Sequence, residues 1–233
     1  LLSIFFFNRL LPILKKYFLD SPSERSSHIV PKPSGGGIIF VLISVILCSL
    51  NNFWIPLMCL PLAIIGFIDD SIKISPKIRF IVQLITGHFL LINSQLFEKI
   101  TINFNSLEQV FLYLLLVFSV SGIINFINFM DGLDGLVASC MTIIFILFSI
   151  EIDISLLYLV ASLLAFLRFN WYPSKIFMGD NGSTYLGALF IGCLFNIDEP
   201  ISQLRILFVA IPLLGDAFIS VIRRFLVGDS IFI

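Results

Sequence analysis

The 233 residues are 58% hydrophobic and 12% charged, with a mean hydropathy of +1.06, which excludes an ordinary water-soluble domain. A net charge of -1, from 14 basic and 15 acidic residues, gives no support to a nucleic-acid partner. Cys48, Cys59, Cys140 and Cys193 lack the spacing of a zinc or redox site and read as reduced packing residues.

Nine apolar segments approach the roughly 20 residues that a membrane-spanning helix needs. They run near 1–18, 37–51, 53–68, 79–94, 107–125, 136–150, 155–168, 183–197 and 203–222. The expected architecture is an all-α polytopic transmembrane bundle of about nine spans, with the shorter spans tilted or buried among the others. A single domain covers 1–233. The chain starts at Leu1 without the basic region or cleavage site of a signal peptide and stops at Ile233 without a terminal signature, so the expectation is a fragment cut at both ends.

Basic residues set the orientation. Lys15, Lys16, Arg25 and Lys32 share one loop, Lys73, Lys77 and Arg79 another, and Arg168, Lys175, Arg223 and Arg224 fall on the same side. The opposite connections hold Lys99 among Glu98, Glu108, Glu151, Asp153, Asp198 and Glu199. The basic side is expected to be cytoplasmic and the amino terminus outside.

Three acidic clusters end apolar spans on the cytoplasmic side, where a charge costs less than at mid-membrane. The first, Gly66-Phe67-Ile68-Asp69-Asp70, precedes Lys73, Lys77 and Arg79. Adjacent carboxylates repel unless a cation or basic group offsets them, although a helix-end pair reaching for water gives the same pattern. In the second, Asn125, Asn128, Asp131 and Asp134 recur every three residues and share one helical face, with Gly132 and Gly135 allowing close approach. These side chains suit a hard cation or a nucleotide, while interhelical hydrogen bonding is the simpler account of Asn125. The third runs from Phe169 to Ser183 through Asn170-Trp171-Tyr172-Pro173 and Gly179-Asp180-Asn181-Gly182, into a helix expected to begin near Thr184. Free N–H groups after Gly182 at Ser183 would favour an anion and Asp180 a bridging metal, with simple helix capping as the alternative. Oxygen donors without His or Cys point to Mg²⁺ or Mn²⁺ and to phosphoryl transfer, with Lys73, Lys77 and Arg79 on the remaining phosphate oxygens.

At these residues the sequence resembles glycosyltransferase family 4, the polyprenyl-phosphate N-acetylhexosamine-1-phosphate transferases. The resemblance rests on His28-Ile29-Val30-Pro31-Lys32-Pro33-Ser34-Gly35-Gly36-Gly37, the Asp69-Asp70 pair, Asn128-Phe129-Met130-Asp131-Gly132-Leu133-Asp134-Gly135 and Phe177-Met178-Gly179-Asp180-Asn181-Gly182-Ser183. It implies a bundle of about ten or eleven spans in the bacterial inner membrane, often dimeric. It further implies transfer of a sugar 1-phosphate from a UDP-N-acetylhexosamine to undecaprenyl phosphate with release of UMP, the first membrane step of an envelope glycan such as a lipopolysaccharide O-antigen. Carried over by residue, Asn128 and Asp180 would be magnesium ligands, Asp69 and Asp70 would orient or deprotonate the attacking phosphate, and Asp131 and Asp134 would face the nucleotide and the active-site network. Lys32 and Ser34 depart from the Pro-Thr-Pro-Arg-Gly-Gly of many relatives. The resemblance also implies a His-containing loop beyond Arg224, and neither His28 nor His88 stands there. The competing readings are a non-catalytic or truncated relative, a CDP-alcohol phosphotransferase whose longer aspartate pattern is not found around Asp131, and a transporter, which would place its charged pairs at mid-membrane.

Overall fold

The computed structural model describes residues 2–20, 30–100 and 106–227, so Arg25 and His28 lie outside the described residues. Leu2–Tyr17 forms α1, and Leu19–Asp20 (β1) pairs antiparallel with Lys32–Pro33 (β2), Leu19 opposite Pro33 and Asp20 opposite Lys32. This two-residue ribbon departs from the all-α expectation and pairs the two ends of the first loop. Then follow α2 (Ile38–Leu50), α3 (Ile55–Met58), α4 (Leu60–Ile72), α5 (Pro76–Ile92), α6 (Gln95–Ile100) and α7 (Leu107–Met130). The chain continues through α8 (Leu136–Glu151), α9 (Leu156–Asn170), α10 (Asp180–Leu194) and α11 (Pro200–Val227).

Each of the nine expected segments coincides with helix. The third divides at Cys59 into α3 and α4, because Pro61 has no N–H to donate and its ring crowds the preceding turn. Among the described residues, Leu107–Met130 and Pro200–Ser220 are long and apolar enough to cross a membrane, while α2, α8 and α9 are shorter apolar helices. Outward faces carry apolar stripes at helical spacing, for example Leu42, Ile46 and Leu50 on α2 and Ile81, Ile85 and Phe89 on α5. Water would penalise such stripes and hydrocarbon would not.

Helix α10 is the axis of the bundle, buried at every position from Asn181 to Leu194 and packed chiefly on α4 and α7. Small residues permit this. A Cβ on Gly187 would come within 2.9 Å of the Ile124 backbone in α7, and one on Gly66 within 2.5 Å of the Asn181 backbone nitrogen. Ser44 and Tyr185 share a hydrogen bond of 2.6 Å inside the core. Cys48, Cys59 and Cys193 are buried free thiols and Cys140 is a half-buried one, as a packing role requires.

Candidate active site

Three helix ends meet at one cavity of about 670 Å³. The last turn of α4 brings Asp69 and Asp70, the end of α7 brings Asn128 and Asp131, and the start of α10 brings Asp180. Helix α4 stops at Lys73, whose φ of +52° turns the chain so that the Ile74 amide donates to Asp69 Oδ1. Lys73, Ile74 and Arg79 complete that wall, and Leu19, Asp20 and Ser34 of the first loop form the opposite rim.

Arg79 Nη1 donates to Asp69 Oδ2 and to Asp180 Oδ2, each at 2.8 Å. Asp70 does something different. Its Oδ1 accepts from the Asp180 amide at 3.1 Å, capping α10, while its buried Oδ2 has no hydrogen-bond partner among the described residues. The helix therefore starts at Asp180, four residues before the expected Thr184. The amides of Gly182 and Ser183 already donate to the Gly179 carbonyl at 3.1 Å, and Gly182 packs against Met178 and Phe40. The anion at this helix terminus is the protein's own carboxylate, which corrects the expectation of free N–H groups after Gly182.

Crowding shapes the electrostatics. Burial, then the neighbouring Asp180 and Asp69 carboxylates, push the Asp70 carboxyl up to about 7 against the pull of the α10 amides. Asp180 rises to about 6 through burial and the neighbouring Asp69 carboxyl, opposed by Arg79. Burial and the charges of Asp180 and Asp70 also raise Asp131 well above the usual carboxylate range. A cluster of carboxyls held uncomfortably in their charged form, one with an unpartnered buried oxygen, fits a hard divalent cation. Among the described residues no three acidic, His or Cys side chains already converge as a complete ion-binding group. Arg79 supplies the positive charge that Asp69 and Asp180 share.

Asn128 lines the cavity, but its Oδ1 accepts from Ser183 Oγ at 2.5 Å. Ser183 thus supports Asn128 instead of facing the cavity. Asp134 lies off the cavity wall. It accepts from the Ser174 amide at 2.9 Å and the Ser174 hydroxyl at 2.6 Å, with Lys32 Nζ 3.5 Å away. Partial burial would raise its pKa, but Ser174 and Lys32 outweigh that and hold the carboxyl low. Asn125 is also off that wall, paired with Gln83, and Lys77 is exposed away from it.

Sequence reasoning missed Gln83 and gave Ser174, Asn170 and Asn181 no role of their own within the third cluster. Asn170 accepts from the Gly135 amide at 3.0 Å and donates to the Ile176 carbonyl at 3.0 Å, holding the second cluster to the third. Asn181 Nδ2 donates to the Gly35 carbonyl at 3.2 Å. Gln83 was detectable as an amide one turn from Arg79 inside an apolar span.

A helical bundle whose acidic cavity gathers three separate chain segments thus defines the class, and the profile of glycosyl transferase family 4 matches residues 52–197. The chain belongs to that family. It is similar to the phospho-N-acetylmuramoyl-pentapeptide-transferase of Staphylococcus saprophyticus, at 30% identity over 96% of this chain and 82% of the relative. A probable undecaprenyl-phosphate N-acetylglucosaminyl 1-phosphate transferase of Bacillus subtilis is also 30% identical, over 92% of this chain and 68% of its own length. The phospho-N-acetylmuramoyl-pentapeptide-transferase of Dictyoglomus thermophilum is 32% identical over 75% of this chain and 62% of its own.

Proposed function

We propose that the chain is a membrane enzyme that transfers a sugar 1-phosphate from a UDP-N-acetylhexosamine to undecaprenyl phosphate, releasing UMP. The observation that carries this is the convergence of Asp69, Asp70, Asp131, Asp180 and Arg79 on one cavity in a member of this family. The apolar outer stripes and the basic residues of one set of loops support a multi-pass inner-membrane protein with this cavity facing the cytoplasm.

Asp180, Asp131 and Asn128 are the residues that would hold Mg²⁺ or Mn²⁺. When bound, the cation would neutralise charge on the diphosphate. Arg79 and Lys73 border the same space and would hold diphosphate oxygens. Both oxygens of Asp69 are engaged, by the Ile74 amide and Arg79, so Asp69 acts by fixing the Arg79 guanidinium. A phosphate monoester has its second pKa near 6 and needs no strong base. Its oxygen would attack the sugar-bearing phosphorus directly, and the bond from that phosphorus to the UMP oxygen would break.

The test is transfer of labelled sugar phosphate from a panel of UDP-N-acetylhexosamines to undecaprenyl phosphate, in membranes containing this chain. Lipid product that needs Mg²⁺, disappears with EDTA and is lost in Asp180→Asn is the expected outcome. A folded, inserted chain that yields no product with any donor would overturn the reading.

A further inference from the structure

Directly behind the cavity, on the bundle side, α5 and α7 are joined by a reciprocal amide pair. Gln83 Nε2 donates to Asn125 Oδ1 at 2.9 Å, and Asn125 Nδ2 donates back to Gln83 Oε1 at 3.2 Å. Ser121 Oγ donates to the same Gln83 oxygen at 2.6 Å. Gln83 is only 5% exposed, so its amide is engaged within the bundle, while Asn125, exposed on α7, spends its carboxamide on Gln83.

Helical spacing gives the pair its meaning. Arg79 lies one turn before Gln83 on α5, and Asn128 lies one turn after Asn125 on α7. Those two residues stand beside Asp180 on the cavity wall, Arg79 through its ion pair and Asn128 held there by Ser183. A void of only about 20 Å³ is lined by the amide pair together with Arg79, Asn128, Asp180 and Thr184. On its other side α7 is fixed against α10 by the close approach of Gly187 to Ile124. The separation of α5 from α7 therefore sets whether Arg79 and Asn128 reach Asp180 together.

We propose that Gln83 and Asn125 are a positioning pair that sets the geometry of Arg79 and Asn128 around Asp180, an inference that rests on the cation-dependent transferase reading above. Outer partners of cation ligands typically change affinity or activity by about 10–100-fold when removed. A purely structural pair of interhelical amides would instead contribute only to helix association.

The experiment uses the full chain in detergent and in membranes, comparing Gln83→Ala with the exchanged pair Gln83→Asn plus Asn125→Gln, which keeps both amides and their combined reach. Mn²⁺ binding is followed by electron paramagnetic resonance, kcat and KM by sugar-phosphate transfer, and folding by thermal unfolding. We expect Gln83→Ala to weaken Mn²⁺ binding by about 10–100-fold and to lower kcat more than it raises KM, with the exchanged pair restoring most of both. Unchanged Mn²⁺ affinity and kcat per folded molecule in Gln83→Ala would overturn the proposal, as would a folded exchanged pair that restores neither. If Gln83→Ala does not insert, the exchanged pair decides alone: near-native Mn²⁺ affinity supports the proposal and its loss refutes it. An unmodified chain that binds Mn²⁺ but transfers nothing counts against the transferase reading, while the Mn²⁺ comparison still decides the role of the pair.

Discussion

Arg79 and Asp180 stand 101 positions apart in the chain and meet at 2.8 Å, with Asp69 accepting from the same guanidinium nitrogen. One side chain thus holds two acids from different helices in a site crowded with negative charge. Replacing Arg79 with Ala should lower transfer by about 10²-fold, comparable to loss of a preorganised donor at a reacting centre. Arg79→Lys should recover only part of it, because an ammonium lacks the planar fork. Arg79 lowers the Asp180 pKa, so its removal should also move the acidic limb of the pH–rate profile to higher pH. Transfer by Arg79→Ala at the native rate and with the native profile would remove Arg79 from the site.

The Asp70 carboxylate caps α10 and also lines the cavity, and two variants separate these roles. Asp70→Ala should destabilise the fold by about 1 kcal/mol through the lost cap. Asp70→Asn should keep that cap, because Asn is as good an acceptor there, yet lose transfer with the charge. Thermal unfolding read beside transfer rates checks this. Native stability in Asp70→Ala would contradict the capping role.

Asp134 offers a pH-dependent test outside the cavity. Its carboxyl is held low by Ser174 and Lys32, so its stabilisation is present above the ordinary carboxylate pKa of about 3.9 and lost as pH falls through the lowered value. Asp134→Asn should therefore cost about 2 kcal/mol at pH 7, the scale of hydrogen bonds to a charged group. The gap from the native protein should close below about pH 4. A gap that stays constant across that range would show that the charge contributes nothing.

Two glycines make a matched pair. A Cβ on Gly66 would sit 2.5 Å from backbone atoms of Asp180 and Asn181, whereas one on Gly122 would meet nothing within 4 Å. Gly66→Ala should cost about 1–3 kcal/mol and displace Asp180 from Arg79. Gly122→Ala should be neutral or stabilise by up to about 1 kcal/mol. Unfolding temperatures of the two variants in the same detergent provide the comparison, and equal values would refute the packing argument.

The helices were legible because long apolar runs leave few alternatives, and the break at Cys59 is written in Pro61. The start of α10 was not, because Gly179-Asp180-Asn181-Gly182 reads locally as a loop and becomes helix with a cap from Asp70, 110 residues earlier. Paired acids at span ends pointed to the cavity. Asn125 and Asp134 looked equally available, since their spacing matches Asn128 and Asp131, but Gln83 and Ser174 engage them from 42 and 40 positions away. Helical periodicity registers a face and is silent about which partner arrives from another segment.

The first loop and the third cluster are stitched together main chain to main chain: Phe177 to Pro33, Gly36 to Phe177 and Gly37 to Met178. Those bonds read no side chain. Substitutions at Ser34 can accordingly accumulate over generations without unfastening the seam, whereas Gly36 and Gly37, where any added carbon would strike Ile176 or Gly182, have almost no room to drift. Variation in this loop should be confined to its side chains, leaving the path of the chain unaltered.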